Sequence, residues 1–410
     1  MLSVTEARAR VLGAVRTLDT IKLPIAEAIG AALAEDLHAP HALPPFDNSA
    51  MDGYAVIASD TKGATPGHPH RLRIVGEVRA GEPGDVVVGP GSAARIMTGA
   101  PVPQGADAIV PVEQTRSDDS FVEIEAAVEL GRHVRPAGDD LKQGDLLVCR
   151  GTELGAGELA LLASMGFSPV TVHRPPRVAI VVTGDELVAP EDAPGPGQIR
   201  DSNSVALGSL VREAGGAPLV YRAVADDLEA TCQTFEAASV RADIVVSSGG
   251  VAVGKYDFVK PALERLGRID MWKVAMQPGK PVVLGAIGEI PFLGLPGNPV
   301  SIHVSFEQFV RPAIRKMRGC RGLLRPIVKA RLTDPLEKSP GRLHFVRVRL
   351  EYLDGEMFAS PTGGQGSHIQ SSLIGCDGLA RFYAHETQLQ MGDIVDVEVW
   401  RFPEVLDDPS

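Results

Sequence analysis

The chain has 410 residues, a formal net charge of −12, 44% hydrophobic residues and 22% charged residues. This length predicts about two to four domains, and the composition is typical of a globular protein with a substantial core. The acidic balance argues against sequence-independent nucleic-acid binding, which depends on Lys and Arg neutralising phosphates. The four cysteines, Cys149, Cys232, Cys320 and Cys376, are too far apart to indicate a CxxC metal site or a disulfide framework.

The amino-terminal third begins with helical patterns. Ser3 and Glu6 have the spacing of a capping box, followed by apolar residues at helical intervals. We predict further helices over residues 25–37 and 158–165, and we assign the three to one discontinuous helical domain, residues 1–44 and 137–172. With no apolar stretch typical of a signal peptide or membrane span, we expect a cytoplasmic protein.

A small β-rich domain is predicted over residues 45–136, where short β-branched runs are cut by glycine and proline. Its first segment crowds Asp47, Asn48, Ser49 and Asp52 together. Such residues favour turns, but four polar groups this close indicate a shaped surface. Further along, Thr98 precedes a glycine and either offers its hydroxyl to a ligand or caps a turn.

From residue 177 onwards, strands alternate with helices. The run 178–182 is apolar throughout, as in a strand buried on both faces. Three more strands are predicted near residues 219–224, 244–247 and 269–274. This alternation predicts a central, mostly parallel α/β sheet with helices on both faces, residues 173–320. Half-buried strands then predict a C-terminal β-barrel-like domain, residues 321–410, with a hairpin at Asp354-Gly355.

A glycine-rich stretch, residues 243–260, follows the third of these strands. It contains Ser248, Gly249 and Gly250 and then reaches Asp257. Free backbone N–H groups and small residues at such a turn suit an anion. Taken alone, the stretch is equally well explained as a plain strand-to-helix turn.

Chemically distinctive residues recur where the strands are predicted to end, which is where open parallel sheets bind ligands. Glu186, Asp226 and Asp257 follow three strands, and Lys273 ends the fourth. Carboxylates together with phosphate oxygens are the ligands that Mg²⁺ prefers, and the lysines add compact positive charge. The residues therefore predict a Mg²⁺-assisted site for a phosphorylated or otherwise anionic small molecule.

Seven segments resemble, in chain order, the MoeA/gephyrin E-domain family of molybdopterin molybdenumtransferases. They are residues 46–56, 95–103, 183–187, 247–251, 278–281, 294–301 and 363–368. The resemblance implies a molybdopterin-binding type of central domain and the final step of molybdenum cofactor biosynthesis. In that step molybdate is inserted into adenylylated molybdopterin and AMP is released, with Mg²⁺ required.

The resemblance also implies a homodimer whose site lies at the subunit interface, reached in trans by Asp52 and Thr98. A candidate protein partner is the molybdopterin adenylyltransferase, whereas nucleic acid and membrane are not expected. The alternatives are a non-catalytic molybdopterin-binding scaffold, a paralogue using another oxyanion such as tungstate, or a nucleotide or pterin-phosphate hydrolase.

Residue by residue, the resemblance implies three sets of roles. The catalytic set is Asp257, Glu186, Asp226, Asp52, Lys273 and Asp140. The metal-binding set is Glu186, Asp226 and Asp257. The cofactor-binding set is Thr98, Ser248, Gly249, Gly250, Lys280, Pro296, Pro299, Ser301, Arg347 and Ser371. By local pattern alone, Asp140 belongs to a charged cluster typical of a solvated face.

Two positions depart from the family pattern. Gln277 stands where many relatives have lysine, which removes a positive charge beside a dianionic oxyanion. Ala252 stands where many relatives have serine, which removes a hydroxyl from the glycine-rich stretch. Either departure is expected to lower molybdate affinity or to tune the choice of oxyanion.

Overall fold

The computed structural model describes residues 1–224, 226–250 and 258–403. The chain divides into two compact units, each of which is made of more than one stretch of sequence. The first unit is Met1–Glu35, Arg150–Leu159 and Ser168–Ser410, and the second is Asp36–Cys149 and Ala160–Phe167. The four domain boundaries predicted from the sequence stay a prediction. No described helix is both long and apolar enough to cross a membrane.

The described α-helices are α1 (Val4–Ala14), α2 (Ala156–Ser164), α3 (Asn203–Glu213), α4 (Leu228–Arg241), α5 (Val259–Leu266), α6 (Pro299–Ser305) and α7 (Arg311–Met317). A π-helical turn, Phe306–Val310, joins the last two. The predicted capping box begins α1, because Glu6 N–H donates to Ser3 Oγ and Ser3 N–H donates to Glu6 Oε2.

The helix predicted over residues 25–37 is wrong. That segment has a 3₁₀ turn at Ile25–Glu27 and a short strand at Leu37–His38. Gly30 and Leu33 donate their N–H groups to the carbonyls of Leu154 and Thr152, distant in sequence. Those donors are therefore unavailable for the i→i−4 ladder that a helix requires.

Twelve strands precede the central sheet in the described chain. They are β1 (Thr20–Leu23), β2 (Leu37–His38), β3 (Asn48–Ser49), β4 (Gly53–Val56), β5 (His70–Val78), β6 (Ser92–Ile96), β7 (Ala108–Pro111), β8 (Thr115–Ser117), β9 (Phe121–Ile124), β10 (Val134–Arg135), β11 (Leu146–Val148) and β12 (Val170–His173). The second unit contains a six-stranded sheet in the order β7-β4-β6-β5-β9-β8. This β-rich character agrees with the predicted small β domain.

The central strands are β13 (Arg177–Thr183), β14 (Leu187–Val188), β15 (Ile199–Arg200), β16 (Ala217–Val224), β17 (Ile244–Ser248), β18 (Gly267–Lys273), β19 (Met276–Gln277), β20 (Pro281–Ile287) and β21 (Ile290–Leu295). Six of them form a sheet in the order β16-β13-β17-β21-β20-β18. Only β20 runs against the others in this sheet as described, since it is antiparallel to both of its neighbours. The predicted mostly parallel sheet is confirmed.

Both faces of this sheet are covered. Along β13, Val178 and Ile180 belong to an apolar cluster with α3 and α6, whereas Ala179 and Val181 belong to another with α4 and α5. Alternate side chains of a strand point to opposite faces, so a continuous apolar run is what two covered faces require. The carboxyl ends of the parallel strands consequently meet at one open edge.

The C-terminal strands are β22 (Ile327–Leu332), β23 (Leu336–Glu337), β24 (Leu343–Leu353), β25 (Glu356–Pro361), β26 (Gly378–Phe382), β27 (Gln388–Leu389) and β28 (Ile394–Val399). Because β24 pairs with both β25 and β26, the ring β24-β25-β22-β28-β26 closes into a barrel. The predicted hairpin at Asp354-Gly355 joins β24 to β25, with φ of 49° and 84° at its two residues. The barrel-like prediction is confirmed.

His344, on β24, makes stability depend on pH. It is 7% exposed, and burial, then Arg347, Lys338 and Arg342, lower its pKa to about 4 from 6.5. Between these values the unfolded chain binds a proton that the folded chain does not. The contribution of neutral His344 to stability is therefore fully present above pH 6.5 and is lost as the pH drops toward 4.

We expect denaturant unfolding at pH 5 and pH 7.5 to show this loss, roughly 2 kcal/mol for a pKa shift of this size. His344→Asn should reduce the difference between the two pH values. His385→Asn, which changes an exposed histidine of the same barrel, serves as the control. An unchanged pH dependence in His344→Asn would contradict the assignment.

Candidate functional site

Two loops meet at the carboxyl ends of β17 and β21. The Gly249 N–H donates to the Leu295 carbonyl at 3.2 Å, and a Cβ on Gly297 would lie 3.7 Å from the Gly249 Cα. Gly250 has φ of +66°, and a Cβ there would collide with the Val259 side chain. Position 250 therefore requires glycine for two reasons, its backbone conformation and its close packing against Val259.

A cavity of about 520 Å³ lies against these loops, and we call it the glycine-loop cavity. The structure brings five of the predicted site residues to its lining: Glu186, Gly249, Gly250, Pro296 and Pro299. Ser248 is 1% exposed and lies beneath the loop, where its Oγ accepts a hydrogen bond from Asn203 Nδ2 at 3.1 Å. Ser248 therefore supports the loop from below.

Carboxylates converge beyond the ends of β13 and β16. The Asp226 N–H donates to Asp185 Oδ1 at 3.0 Å. Burial, followed by repulsion from Asp185 and Glu186, raises the pKa of Asp226, against an opposing hydrogen bond from the Asp185 backbone. A group that is costly to ionise among other carboxylates is suited to a bound cation.

The described residues contain no group of three or more His, Cys, Asp or Glu side chains able to hold a metal ion by themselves. Asp257, the third predicted metal ligand, lies outside the described residues, as does Ala252. Protein-bound Mg²⁺ commonly uses one or two carboxylates and completes its shell with phosphate oxygens and water. Glu186 and Asp226 fit such a shared site.

A second cavity of about 360 Å³ adjoins the first and shares Pro281, Pro296 and Asn298 with it. We call it the basic cavity, because its described lining includes Lys280 and Arg342 but no acidic residue. Lining of one charge sign concentrates ligands of the opposite sign. The arrangement favours an anion.

Some of the residues predicted from the sequence line the basic cavity, and Lys273 does not. Lys280 and Ser301 line it as the sequence predicted, and Gln277 lies there too. Lys273 is exposed at the end of β18 and lines neither cavity as described, although it pairs with Pro281 in the sheet. Its predicted catalytic role stays a prediction.

Sequence reasoning missed Ser367 and Arg342. Asn298 Nδ2 donates to Ser367 Oγ at 3.1 Å, and Val300 N–H donates to the Ser367 carbonyl at 3.3 Å. These bonds tie the loop 363–368 to the amino-terminal end of α6. Ser367 belongs to the segment 363–368, whose family resemblance is the signal that could have found it. No sequence pattern marks Arg342.

Arg347 holds the same loop from behind. It is 0% exposed, and its guanidinium donates to Ser372 Oγ at 2.7 Å and to the carbonyls of Gly364 and Gly366 at 3.0 and 3.3 Å. Burial lowers the pKa of Arg347. Ser371 is exposed, and it is Ser372 that bonds the arginine. Arg347 and Ser371 are not among the described residues that line the basic cavity, and their binding role stays a prediction.

The remaining predicted residues lie in the second unit. Asp52 Oδ1 accepts hydrogen bonds from Thr98 N–H at 2.7 Å and Thr98 Oγ1 at 2.8 Å, and the first of these bonds is the larger cause of the lowered pKa of Asp52. Both residues are exposed. Asp140 is also exposed, and its carboxylate accepts no hydrogen bond from another described residue. Its functional role stays a prediction.

The fold and the two cavities define a multidomain α/β protein with a site suited to anionic small molecules at the open edge of its sheet. Three family models match the chain in order. They are "MoeA N-terminal region (domain I and II)" over residues 2–166, "Probable molybdopterin binding domain" over residues 179–316, and "MoeA C-terminal region (domain IV)" over residues 329–400. The chain belongs to the MoeA family.

Full-length relatives agree with this membership. The chain is 38% identical over 406 residues to molybdopterin molybdenumtransferase 2 of Mycobacterium tuberculosis, covering 96% of this chain and 100% of the relative. It is 39% identical over 393 residues to the molybdopterin molybdenumtransferase of a Nostoc species, covering 94% and 89%. The crystal structure of the molybdopterin biosynthesis MoeA protein of Pyrococcus horikoshii superposes with a TM-score of 0.85 at 34% identity, covering 98% of this chain and 100% of that one.

Proposed function

We propose that this protein is a molybdopterin molybdenumtransferase, which inserts molybdate into adenylylated molybdopterin and releases AMP. The observation that carries the proposal is the pair of adjoining cavities, which share Pro281, Pro296 and Asn298. The reaction needs a phosphate-bearing pterin and an oxyanion side by side. Glycines, carboxylates and Arg200 border one compartment, and Lys280 and Arg342 border the other.

The chain's own residues would act by positioning and electrostatics. Arg200 and the backbone at Gly249 and Gly250, which line the glycine-loop cavity, suit the phosphates. Lys280 and Arg342, with the hydroxyls of Ser301 and Ser367, suit molybdate. When bound between Glu186, Asp226 and the phosphates, Mg²⁺ would supply Lewis-acid polarisation of phosphorus. No protein nucleophile is needed.

The finer parts of the proposal come from the family resemblance. They are a homodimer in which Asp52 and Thr98 complete the partner subunit's site, Asp257 as a third metal ligand, and catalytic roles for Asp140 and Lys273. A cytoplasmic location and an encounter with the molybdopterin adenylyltransferase belong to the same set. Tungstate remains the alternative oxyanion.

Incubating the pure protein with adenylylated molybdopterin, Mg²⁺ and molybdate tests the proposal. We expect AMP release that requires both molybdate and Mg²⁺. Release without molybdate would instead indicate a hydrolase, and binding without release would indicate a scaffold. Replacing molybdate by tungstate in the same assay tests the choice of oxyanion.

A further inference from the structure

Asn203, the first residue of α3, bridges the two loops of the glycine-loop cavity. Its Nδ2 donates to the Gly297 carbonyl at 2.8 Å and to Ser248 Oγ at 3.1 Å. Gly297 follows β21 and Ser248 ends β17, so one side chain fastens two neighbouring strand ends. Asn203 itself lines the cavity.

The orientation of this carboxamide follows from its partners. A backbone carbonyl only accepts hydrogen bonds, so the NH₂ end of Asn203 must face Gly297. Its two hydrogens match the two acceptors, Gly297 O and Ser248 Oγ. A carboxylate of the same shape has no hydrogen to offer either one and would oppose the Gly297 carbonyl.

Asn203 is not needed to begin α3. Asp201 Oδ1 accepts the Ser204 N–H at 2.9 Å and so caps the first turn. The basic-cavity side of the second loop also has its own fastening, because Asn298 is bonded to Ser367. The Asn203 bridge therefore acts on the glycine-loop side alone.

We propose that Asn203 is a positioning residue that fixes the separation of the glycine loop and the loop 296–298, and thereby sets the affinity for the phosphate-bearing substrate. This inference rests on the proposed function for the identity of that substrate. Without the bridge, Ser248 and the Gly297 carbonyl lose their shared donor, and the two loops keep the backbone bond from Gly249 to Leu295 but no longer have this side-chain link. Binding of the adenylylated pterin weakens, while binding of molybdate in the basic cavity does not.

The test compares Asn203→Asp and Asn203→Ala with wild type and with Ser209→Ala. Ser209 is an exposed residue of the same helix whose hydroxyl bonds only Val205 of α3 among the described residues. Three quantities are measured: KM for adenylylated molybdopterin, KM for molybdate, and Kd for AMP by calorimetry. Thermal unfolding confirms that each variant is folded.

We expect both Asn203 variants to raise KM for adenylylated molybdopterin and Kd for AMP about tenfold, with KM for molybdate unchanged. Ser209→Ala should match wild type throughout. Normal AMP and pterin constants in Asn203→Asp, or equal changes in all three quantities, would overturn the inference. Absence of molybdate-dependent AMP release by wild type would overturn the proposed function instead, and the AMP calorimetry would still decide the role of Asn203.

Discussion

Asp226→Asn is expected to remove most molybdenum insertion and, in the absence of Mg²⁺, to make the protein more stable. The Asp226 carboxylate is held near Asp185 and Glu186, and burial and their repulsion raise its pKa. An amide of the same shape keeps the packing but loses the charge that a cation would need. We expect kcat to fall at least about a hundredfold, as for loss of a group that holds or orients a metal.

The stability gain follows from the sign of the pKa shift. With the pKa of Asp226 raised above 3.8 in the folded state, the folded chain binds more protons than the unfolded chain between 3.8 and that raised value. Stability therefore falls as the pH rises through this window, and ionised Asp226 destabilises the protein at neutral pH. Asp226→Asn removes this cost, and we expect it also to remove much of the stabilisation that Mg²⁺, bound as proposed to the folded state, would give wild type.

Asp227→Asn is the matched control, since it makes the same charge change one residue away. Asp227 Oδ1 caps α4 by accepting the Ala230 N–H at 2.9 Å, and asparagine caps a helix equally well. Insertion rates and thermal unfolding with and without Mg²⁺ are measured for both variants. Near-normal insertion by Asp226→Asn, or a lower unfolding temperature without Mg²⁺, would show that this carboxylate is not the cation site.

The fold was predictable wherever one local pattern decided the structure. The apolar run of β13 is typical of a strand covered on both faces, and Asp354-Gly355 is typical of a tight hairpin turn. Residues 25–37 failed because their backbone partners are residues 152 and 154, which no local periodicity reveals. Long-range pairing overrode helix propensity there.

The site was predictable as far as topology alone could carry it. Parallel strands deliver their carboxyl ends to one edge, so Glu186, the glycine loop and Pro296 were found together. Arg342 and Ser367 reach the basic cavity from the barrel end and from a loop that packs against α6, and strand order in the sheet says nothing of such contacts. Arg347 shows the converse, since a charged residue marked by resemblance proved to be fully buried in support of a loop.

Charge in the basic cavity should decide affinity for the oxyanion, so Arg342→Gln and Gln277→Lys are expected to have opposite effects. Arg342 lines the cavity and has no carboxylate partner among the described residues, which leaves its charge to a bound anion. Opposite unit charges about 4 Å apart near a protein surface attract by about 4 kcal/mol before desolvation is subtracted. We therefore expect Arg342→Gln to raise KM for molybdate at least about tenfold, and Gln277→Lys to lower it.

Steady-state AMP release at varied molybdate, and then at varied tungstate, measures both effects. Molybdate and tungstate carry the same charge and shape, so the ratio of their KM values should stay constant while both rise in Arg342→Gln. Arg331→Gln is the control, because Arg331 pairs with Glu356 on the barrel surface at 2.9 Å and lines neither cavity as described. If only the KM for adenylylated molybdopterin rose, the oxyanion would not bind in this cavity. A changed ratio of the two KM values in Arg342→Gln would mean that Arg342 distinguishes the oxyanions by more than their charge. A changed ratio in Gln277→Lys would mean that position 277 affects selectivity as well as affinity.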